Sequence, residues 1–377
     1  MDDRIDAIQR RTAGNPRVIG LAGGLPSEAQ FPKRELGRSF FRVLEQAGTP
    51  ALQYGWAEGF ESLRELIAAR LRARGAPASA GDVIVTSGAQ QAIAIALEVI
   101  CKPGDRVGVA PETYPAALDL LRERRLVPVA SATGVRAHYA MPALGNPSGE
   151  RLDAGARGAL LAGGAPIIED DAYADLRFDG TAPRPLLAEA PGQVFHVGTL
   201  SKTLCPGLRI GWLVAPARAR KRALRIKQGS DLQASSLAQA IVADLLGGTP
   251  GAAGLDFEAR LVRLRRFYRA RAAALARALR AHLPEWRWVD PEGGFSIWAR
   301  AERPSPAPPG LDEKALLEAA ADEGVMVDPG SIFRASQSVA PMAIRLCFSA
   351  APPASFDEGV RRLARAWRRV ARARMVA

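Results

Sequence analysis

Two hydrophobic periods share the middle of this chain. Short apolar, β-branched runs at 83–86, 106–110, 127–130, 137–141, 165–169, 194–197 and 210–214 predict strands. Between them lie stretches with helical spacing. Phe60, Leu63, Leu66, Ile67 and Leu71 keep one face up to a Gly75-Ala-Pro stop, and a second apolar helix is expected over 91–101. Strand–helix alternation over 80–215 predicts an α/β fold with a largely parallel sheet covered by helices. From Arg218 onward the pattern is mostly helical, with strands expected at 296–299, 325–327 and 343–348. A proline-rich stretch at 304–310 interrupts that part. Residues 1–20 read as a short helix and a linker. No internal repeat is present.

The chain has 377 residues, too long for one simple core, so two domains or two unequal lobes are expected. The formal charge of +12 comes from arginines concentrated at 260–280 and 361–374. Leu261, Leu264, Phe267 and Tyr268 give the first run helical spacing, and no nucleic-acid motif accompanies it. Both runs therefore read as solvated faces of amphipathic helices, and no nucleic-acid partner is expected. Cys101, Cys205 and Cys347 are far apart and sit in apolar surroundings, which points to reduced thiols in a cytoplasmic protein. His138, His196 and His282 form no metal-ligand spacing. The N-terminus is too charged for a signal peptide, and no apolar run is long enough to span a bilayer.

The chemistry centres on 195–212, FHVGTLSKTLCPGLRIGW. Lys202 sits in a polar turn between two apolar strands, with Thr199, Ser201 and Arg209 close in sequence. Desolvation and a nearby cation both lower an ammonium pKa, and the free amine is a nucleophile suited to Schiff-base chemistry. The hydroxyls and Arg209 are donors for a phosphate. A second phosphate-type feature is the turn Ser87-Gly88-Ala89-Gln90, where a strand runs into a helix N-terminus. The strand over 165–169 ends in Asp170-Asp171-Ala172-Tyr173, at the sheet edge where open α/β folds keep their ligands. A tight turn, Gly145-Asn-Pro-Ser-Gly149, and the paired glycines of LAGGLP at 21–26 complete the set. In 343–348, Ile344, Leu346 and Phe348 face one way and Arg345 the other, toward a cleft or toward solvent.

This ordered set, from AGGLP to RLCFS, resembles the class I/II aminotransferases of fold type I, and most closely the 2-aminoadipate and kynurenine aminotransferase group. The resemblance implies pyridoxal 5′-phosphate as cofactor, with Lys202 as its internal-aldimine lysine and proton shuttle. It implies Asp170 as partner of the pyridine nitrogen, Tyr173 and Asn146 as partners of the phenolic oxygen, and Tyr114 stacked on the ring. Ser87, Gly88, Ala89, Gln90, Thr199, Ser201 and Arg209 would hold the phosphate, and Tyr54 would reach it from a partner subunit. Arg345 would grip the substrate α-carboxylate beside Gly24 and Asn146. The implied architecture is a large domain over 50–245 and a small α/β domain made of 1–49 and 246–377, working as a homodimer with shared sites. The implied reaction moves an amino group from an L-amino acid to a 2-oxo acid. Two alternatives stay open: another carbanion reaction on the same scaffold, and a non-catalytic effector-sensing domain, against which stands the lack of a winged helix before residue 20.

Three departures from the family pattern stand out. The chain is short between Pro115 and Asn146. It leaves no room for a crossover helix before the asparagine turn, so a lost or re-routed sheet connection and an unusual pocket wall are expected there. The asparagine turn reads GNPSG in place of the usual NPTG. Ala89 stands where a hydroxyl is common.

Overall fold

A computed structural model describes residues 15–47, 49–131, 133–248, 254–301, 313–336 and 341–373. The N-terminal helix expected before residue 15 and the proline-rich stretch at 304–310 lie outside the described residues.

Two sheets organise the described chain. The first has seven strands: β2 (Val83–Thr86), β3 (Arg106–Gly108), β4 (Val127–Val129), β5 (Ala137–Ala140), β6 (Ile167–Asp170), β7 (Val194–Thr199) and β8 (Gly211–Val214). Their order is β2-β8-β7-β6-β5-β3-β4. The pairings from β7 through β4 are parallel, and β8 runs against both of its neighbours. Strands β2, β6 and β7 are buried along their whole length, as a sheet covered by helices on both faces requires. The second sheet is β1 (Ile19–Leu21), β11 (Val325–Pro329), β12 (Ala343–Cys347), β10 (Ser296–Ala301) and β9 (Trp286–Arg287), in that order.

The main helices are α1 (Lys33–Arg42), α2 (Glu61–Ala73), α3 (Ala89–Ile100), α4 (Pro115–Glu123), α5 (Ala154–Ala162), α6 (Ala217–Asp231), α7 (Ser236–Gly247), α8 (Phe257–His282), α9 (Glu313–Asp322) and α10 (Phe356–Ala373). Among the described residues no helix is long and apolar enough to cross a membrane.

Three expectations change. The segment read as a linker ends in a strand: β1 pairs in parallel with β11. Helix α3 starts at Ala89, so Ala89 and Gln90 lie in its first turn, and Cys101 is its C-cap. On α8, Arg260 and Arg271 are buried and do not face solvent. Arg260 donates to the carbonyls of Thr203, Leu204 and Gln30, and Arg271 to that of Phe348. Carbonyls of connecting loops need donors when covered, and arginine supplies several from one side chain.

The shortened segment behaves as expected. Strands β4 and β5 lie on opposite sides of β3, all three parallel, and among the described residues no helix lies between them.

Candidate active site

The strand ends of the first sheet and the central strand of the second face one cleft. Lys202 stands on the turn after β7. Its Nζ lies 3.5 Å from the Gly24 carbonyl, 5.5 Å from the Tyr173 ring centroid and 5.7 Å from that of Phe295. Burial lowers its pKa, and Arg345 lowers it further, while Tyr114 and Asp170 pull the other way. The turn is held from behind, because Arg260 Nε donates to the next carbonyl but none, that of Thr203, at 2.7 Å.

Strand alternation sorts the acidic cluster. Asp171 pairs with Arg74 at 2.5 Å and His196 at 3.1 Å, and Glu169 accepts the backbone N–H groups of Leu186 and Leu187. Asp170 accepts the Tyr139 hydroxyl at 2.7 Å and the Ala172 N–H at 3.1 Å. Burial raises the Asp170 pKa, and these hydrogen bonds oppose the rise. Of the three carboxylates, Asp170 is the one within the field of Lys202, Tyr114 and Tyr173. Burial also raises the pKa of Tyr114 and Tyr173, so both stay phenols and can donate.

An anion cradle adjoins them. Gly88 caps α3 with φ +90°, and no side chain caps that helix start. A Cβ at Gly88 would come within 2.5 Å of Arg209 Nη2, so only glycine lets the guanidinium lie across this backbone. Arg209 donates to the Ser87 carbonyl at 3.0 Å from a left-handed backbone. Ser87 Oγ donates to Asp231, which Lys227 neutralises. Thr199 donates to the Ile210 carbonyl at 2.9 Å, and its Oγ1 lies 3.0 Å from Ser201 Oγ. An uncapped helix start, a guanidinium and hydroxyls on one rim suit a phosphate, and a buried carboxylate on the same floor suits a pyridine N–H. The residues present fit pyridoxal phosphate.

The opposite wall carries Arg345. Its Nε and Nη2 donate to Asp328 Oδ2 at 2.9 and 2.8 Å, and its Nη1 donates to Asn146 Oδ1 at 3.0 Å. The Phe333 ring lies 4.7 Å below the guanidinium. A Cβ on Gly24, at φ +59°, would sit 3.4 Å from both terminal nitrogens, so glycine keeps the approach to Arg345 open.

The structure thus brings Lys202, Asp170, Tyr173, Tyr114, Asn146, Arg345 and Gly24 to one cleft, with Ser87, Gly88, Ala89, Thr199, Ser201 and Arg209 on its rim. Gln90 turns its side chain away, donating to the Ala116 carbonyl. Tyr54 lies apart, 78% exposed. Sequence reasoning missed Asp328, Tyr139, Arg260 and Asp231. Asp328 and Tyr139 hide inside apolar strands, and the register Asp328↔Arg345 is a tertiary fact.

The family model for aminotransferase class I and II matches residues 17–137 and 141–363. The chain is 33% identical to the aromatic-amino-acid aminotransferase 1 of Thermococcus litoralis, over 92% of this chain and 87% of that one. It is 33% identical to the 2-aminoadipate transaminase of Thermus thermophilus, over 93% and 90%. The crystal structure of the α-aminoadipate aminotransferase LysN from Thermus thermophilus, in complex with N-(5′-phosphopyridoxyl)-L-leucine, superposes with a TM-score of 0.85 at 30% identity, covering 98% of this chain and 97% of that one. With a matching family model over most of its length and this cleft between its two sheets, the chain belongs to the class I and II aminotransferases of fold type I and is a pyridoxal-phosphate-dependent aminotransferase.

Proposed function

We propose that Lys202 is the residue that carries the cofactor and moves the proton at the substrate α-carbon, taking an amino group from an L-amino acid to a 2-oxo acid. The observation that carries this is the placement of Lys202 Nζ between Gly24, Tyr173 and Phe295, where burial lowers its pKa and so favours the nucleophilic amine. When bound, pyridoxal phosphate supplies an electron-withdrawing ring that stabilises negative charge at that carbon. Asp170 would hold the ring-nitrogen proton, since a buried carboxylate with raised proton affinity shares a proton strongly. Tyr173 and Asn146 would orient the ring through its phenolic oxygen, and Tyr114 would stack on one face. Ser87, Thr199, Ser201, Arg209 and the backbone of Gly88, Ala89 and Gln90 would hold the phosphate. Arg345 would bind the α-carboxylate through the outer edge of its guanidinium, which Asp328 and Asn146 leave open.

We read residues 50–245 as the large domain and 1–49 with 246–377 as the small one, in keeping with the two sheets. The active form is a homodimer. Leu52, Tyr54 and Trp56 are exposed, Trp56 to 79%, and Gln233 ties Gly55 to the segment bearing the exposed Leu232. Such an apolar patch on one surface suits a subunit contact. Three unpaired cysteines support a reducing, cytoplasmic setting.

An absorbance titration of the cofactor-loaded protein against a panel of L-amino acids tests this reading, with aromatic amino acids and 2-aminoadipate included because the relatives act on them. Conversion of the cofactor to pyridoxamine phosphate, reversed by a 2-oxo acid, supports it. An unchanged spectrum across the panel overturns it.

A further inference from the structure

Arg260 lies in the first turn of α8, after the N-cap Asp256, and is 5% exposed. Its guanidinium reaches two separate parts of the cleft. Nε donates to the Thr203 carbonyl at 2.7 Å and Nη2 to that of Leu204 at 3.3 Å, both on the turn that carries Lys202. Nη2 also donates at 2.7 Å to the carbonyl of Gln30, at the far end of the segment that begins with the glycine loop beside Lys202. All of these acceptors are neutral, and Arg260 forms no ion pair among the described residues. A buried guanidinium without a carboxylate adds little to stability, because desolvation offsets what its hydrogen bonds return. Stability alone therefore does not account for an arginine at this place.

The two parts that it joins are not fastened alike. The N-terminal segment has other anchors. Asp328 accepts the Gly23 N–H, Cys347 Sγ the Gly24 N–H and the Tyr268 hydroxyl the Ser27 N–H, while Ser349 Oγ donates to the Leu25 carbonyl. Those contacts keep Gly24 in place independently of Arg260. On the other side, one planar fork lines up two successive carbonyls directly after Lys202. Lys202 Nζ lies 3.5 Å from the Gly24 carbonyl, so any slip of the turn against the anchored segment moves the amine within the cleft.

We propose that Arg260 is a positioning residue for Lys202: by tying the lysine turn to the N-terminal segment, it sets where the amine stands and how fast that amine captures the cofactor. This rests on the reading of Lys202 as the cofactor-bearing lysine. In the capture, the Lys202 nitrogen forms a double bond to the aldehyde carbon of the cofactor, and the aldehyde oxygen leaves as water with the two amine hydrogens. Misplacing a reacting group by about 1 Å costs up to about a hundredfold in rate. Carbonyls stripped of their donors shift to reach water, and the turn shifts with them. Arg271, buried on the same helix, donates to the Phe348 carbonyl, away from the lysine turn, and serves as the control.

The cofactor-free full-length protein is labelled with acetic anhydride from about pH 6 to about pH 11, a range that spans lysine titration, and read by peptide mass. The exposed Lys102 is the internal standard. In Arg260→Met, water enters behind the turn and relieves the burial that lowers the Lys202 pKa, so its labelling profile moves up toward that of Lys102. Capture of added pyridoxal 5′-phosphate, followed by absorbance, slows about tenfold. Arg260→Lys, which keeps a donor without the fork, falls between and carries both readouts if the methionine variant does not fold. Arg271→Met keeps the parent profile and capture rate. Parent-like behaviour of the Arg260 variants overturns the proposal, and so does an equal change in Arg271→Met, which would mean general loosening. Borohydride treatment of the cofactor-loaded parent separates the two inferences. A cofactor fixed on another residue removes the reading of Lys202, whereas an adduct on Lys202 with unaltered Arg260 variants removes only the role of Arg260.

Discussion

Asp328 Oδ2 accepts both Nε and Nη2 of Arg345, and the two residues face each other across adjacent antiparallel strands. The same carboxylate accepts the Gly23 N–H, at 3.1 Å on Oδ1 and 3.0 Å on Oδ2. One buried carboxylate therefore orients the proposed substrate clamp and pins the glycine loop that lies over Lys202. Burial opposes the guanidinium's charge, but the Asp328 carboxylate beside it favours that charge and Arg345 stays a cation. Cys347 itself is pushed up to about 12 by burial and remains a thiol.

Asp328→Ala leaves a buried guanidinium without its counter-ion, which costs about 3–5 kcal/mol in denaturant unfolding. The Michaelis constant for the amino donor rises on the order of tenfold, because the freed fork no longer presents one edge to a carboxylate. Asp328→Asn, which keeps an acceptor, falls between the two. Unchanged stability in the alanine variant would remove Asp328 from this role.

Lys202→Ala should leave a folded protein that no longer fixes the cofactor after borohydride treatment, as read by intact mass. Activity falls by a factor of about 10³ or more, the scale of losing a general base. An adduct of normal yield in that variant would contradict the assignment.

The lowered pKa of Lys202 also has a sign in stability. A folded pKa below the unfolded value penalises the folded state at neutral pH, where the unfolded chain gains the proton more readily. The penalty fades as pH rises from the folded pKa to the ordinary lysine value of about 10.4. Cofactor-free Lys202→Met should therefore unfold at higher denaturant than the cofactor-free parent at pH 7, and the gap should close toward pH 11. A gap independent of pH would mean that packing, not charge, separates the two proteins.

Tyr139→Phe removes a hydrogen bond into a buried carboxylate and lets the Asp170 pKa rise further. A bond to a charged group is worth about 1.5–3 kcal/mol, so the cofactor-free variant loses stability of that order at pH 7. A folded pKa above the unfolded one costs most at high pH. The deficit therefore narrows as pH falls through the raised folded pKa of Asp170, below which the carboxyl is protonated in both folded proteins and the lost bond no longer serves a charge. Parallel denaturation curves at pH 4.5 and 7.5 check the sign.

Gly88→Ala pushes a methyl against Arg209 and strains a backbone at φ +90°. The cost is about 1–3 kcal/mol in stability. Retention of the cofactor on dialysis should drop as well, because the same methyl displaces the guanidinium that closes the anion cradle.

The central strands of the larger sheet were legible because buried parallel strands such as β6 and the first part of β7 are continuous apolar runs. Strand β1 was not, being three residues that gain their register only from β11, some three hundred residues later. Strand β9, with two residues, carries no period at all. Lys202, Asp170, Arg209 and Arg345 were legible because each stands as a polar exception inside an apolar context. Asp328 has the same context, in VMVDP, but no flanking polar signal marks which strand it will face. Arg260 was misplaced by periodicity, since a helix in an arginine-rich chain offers many equivalent arginines and only the packed loop selects the one that turns inward.

The pairing of β1 with β11 sets a schedule for the nascent chain. The loop at Gly23–Gly24 leaves the ribosome first, yet its anchor Asp328 and the proposed clamp Arg345 are made near the end. The larger sheet, complete by Val214, has its lysine turn long before there is any lid over it. A partly synthesised chain can thus assemble the anion cradle but cannot grip an amino acid, and contacts of such long sequence separation form late. The proposed carboxylate grip is the last part of this cleft to be synthesised.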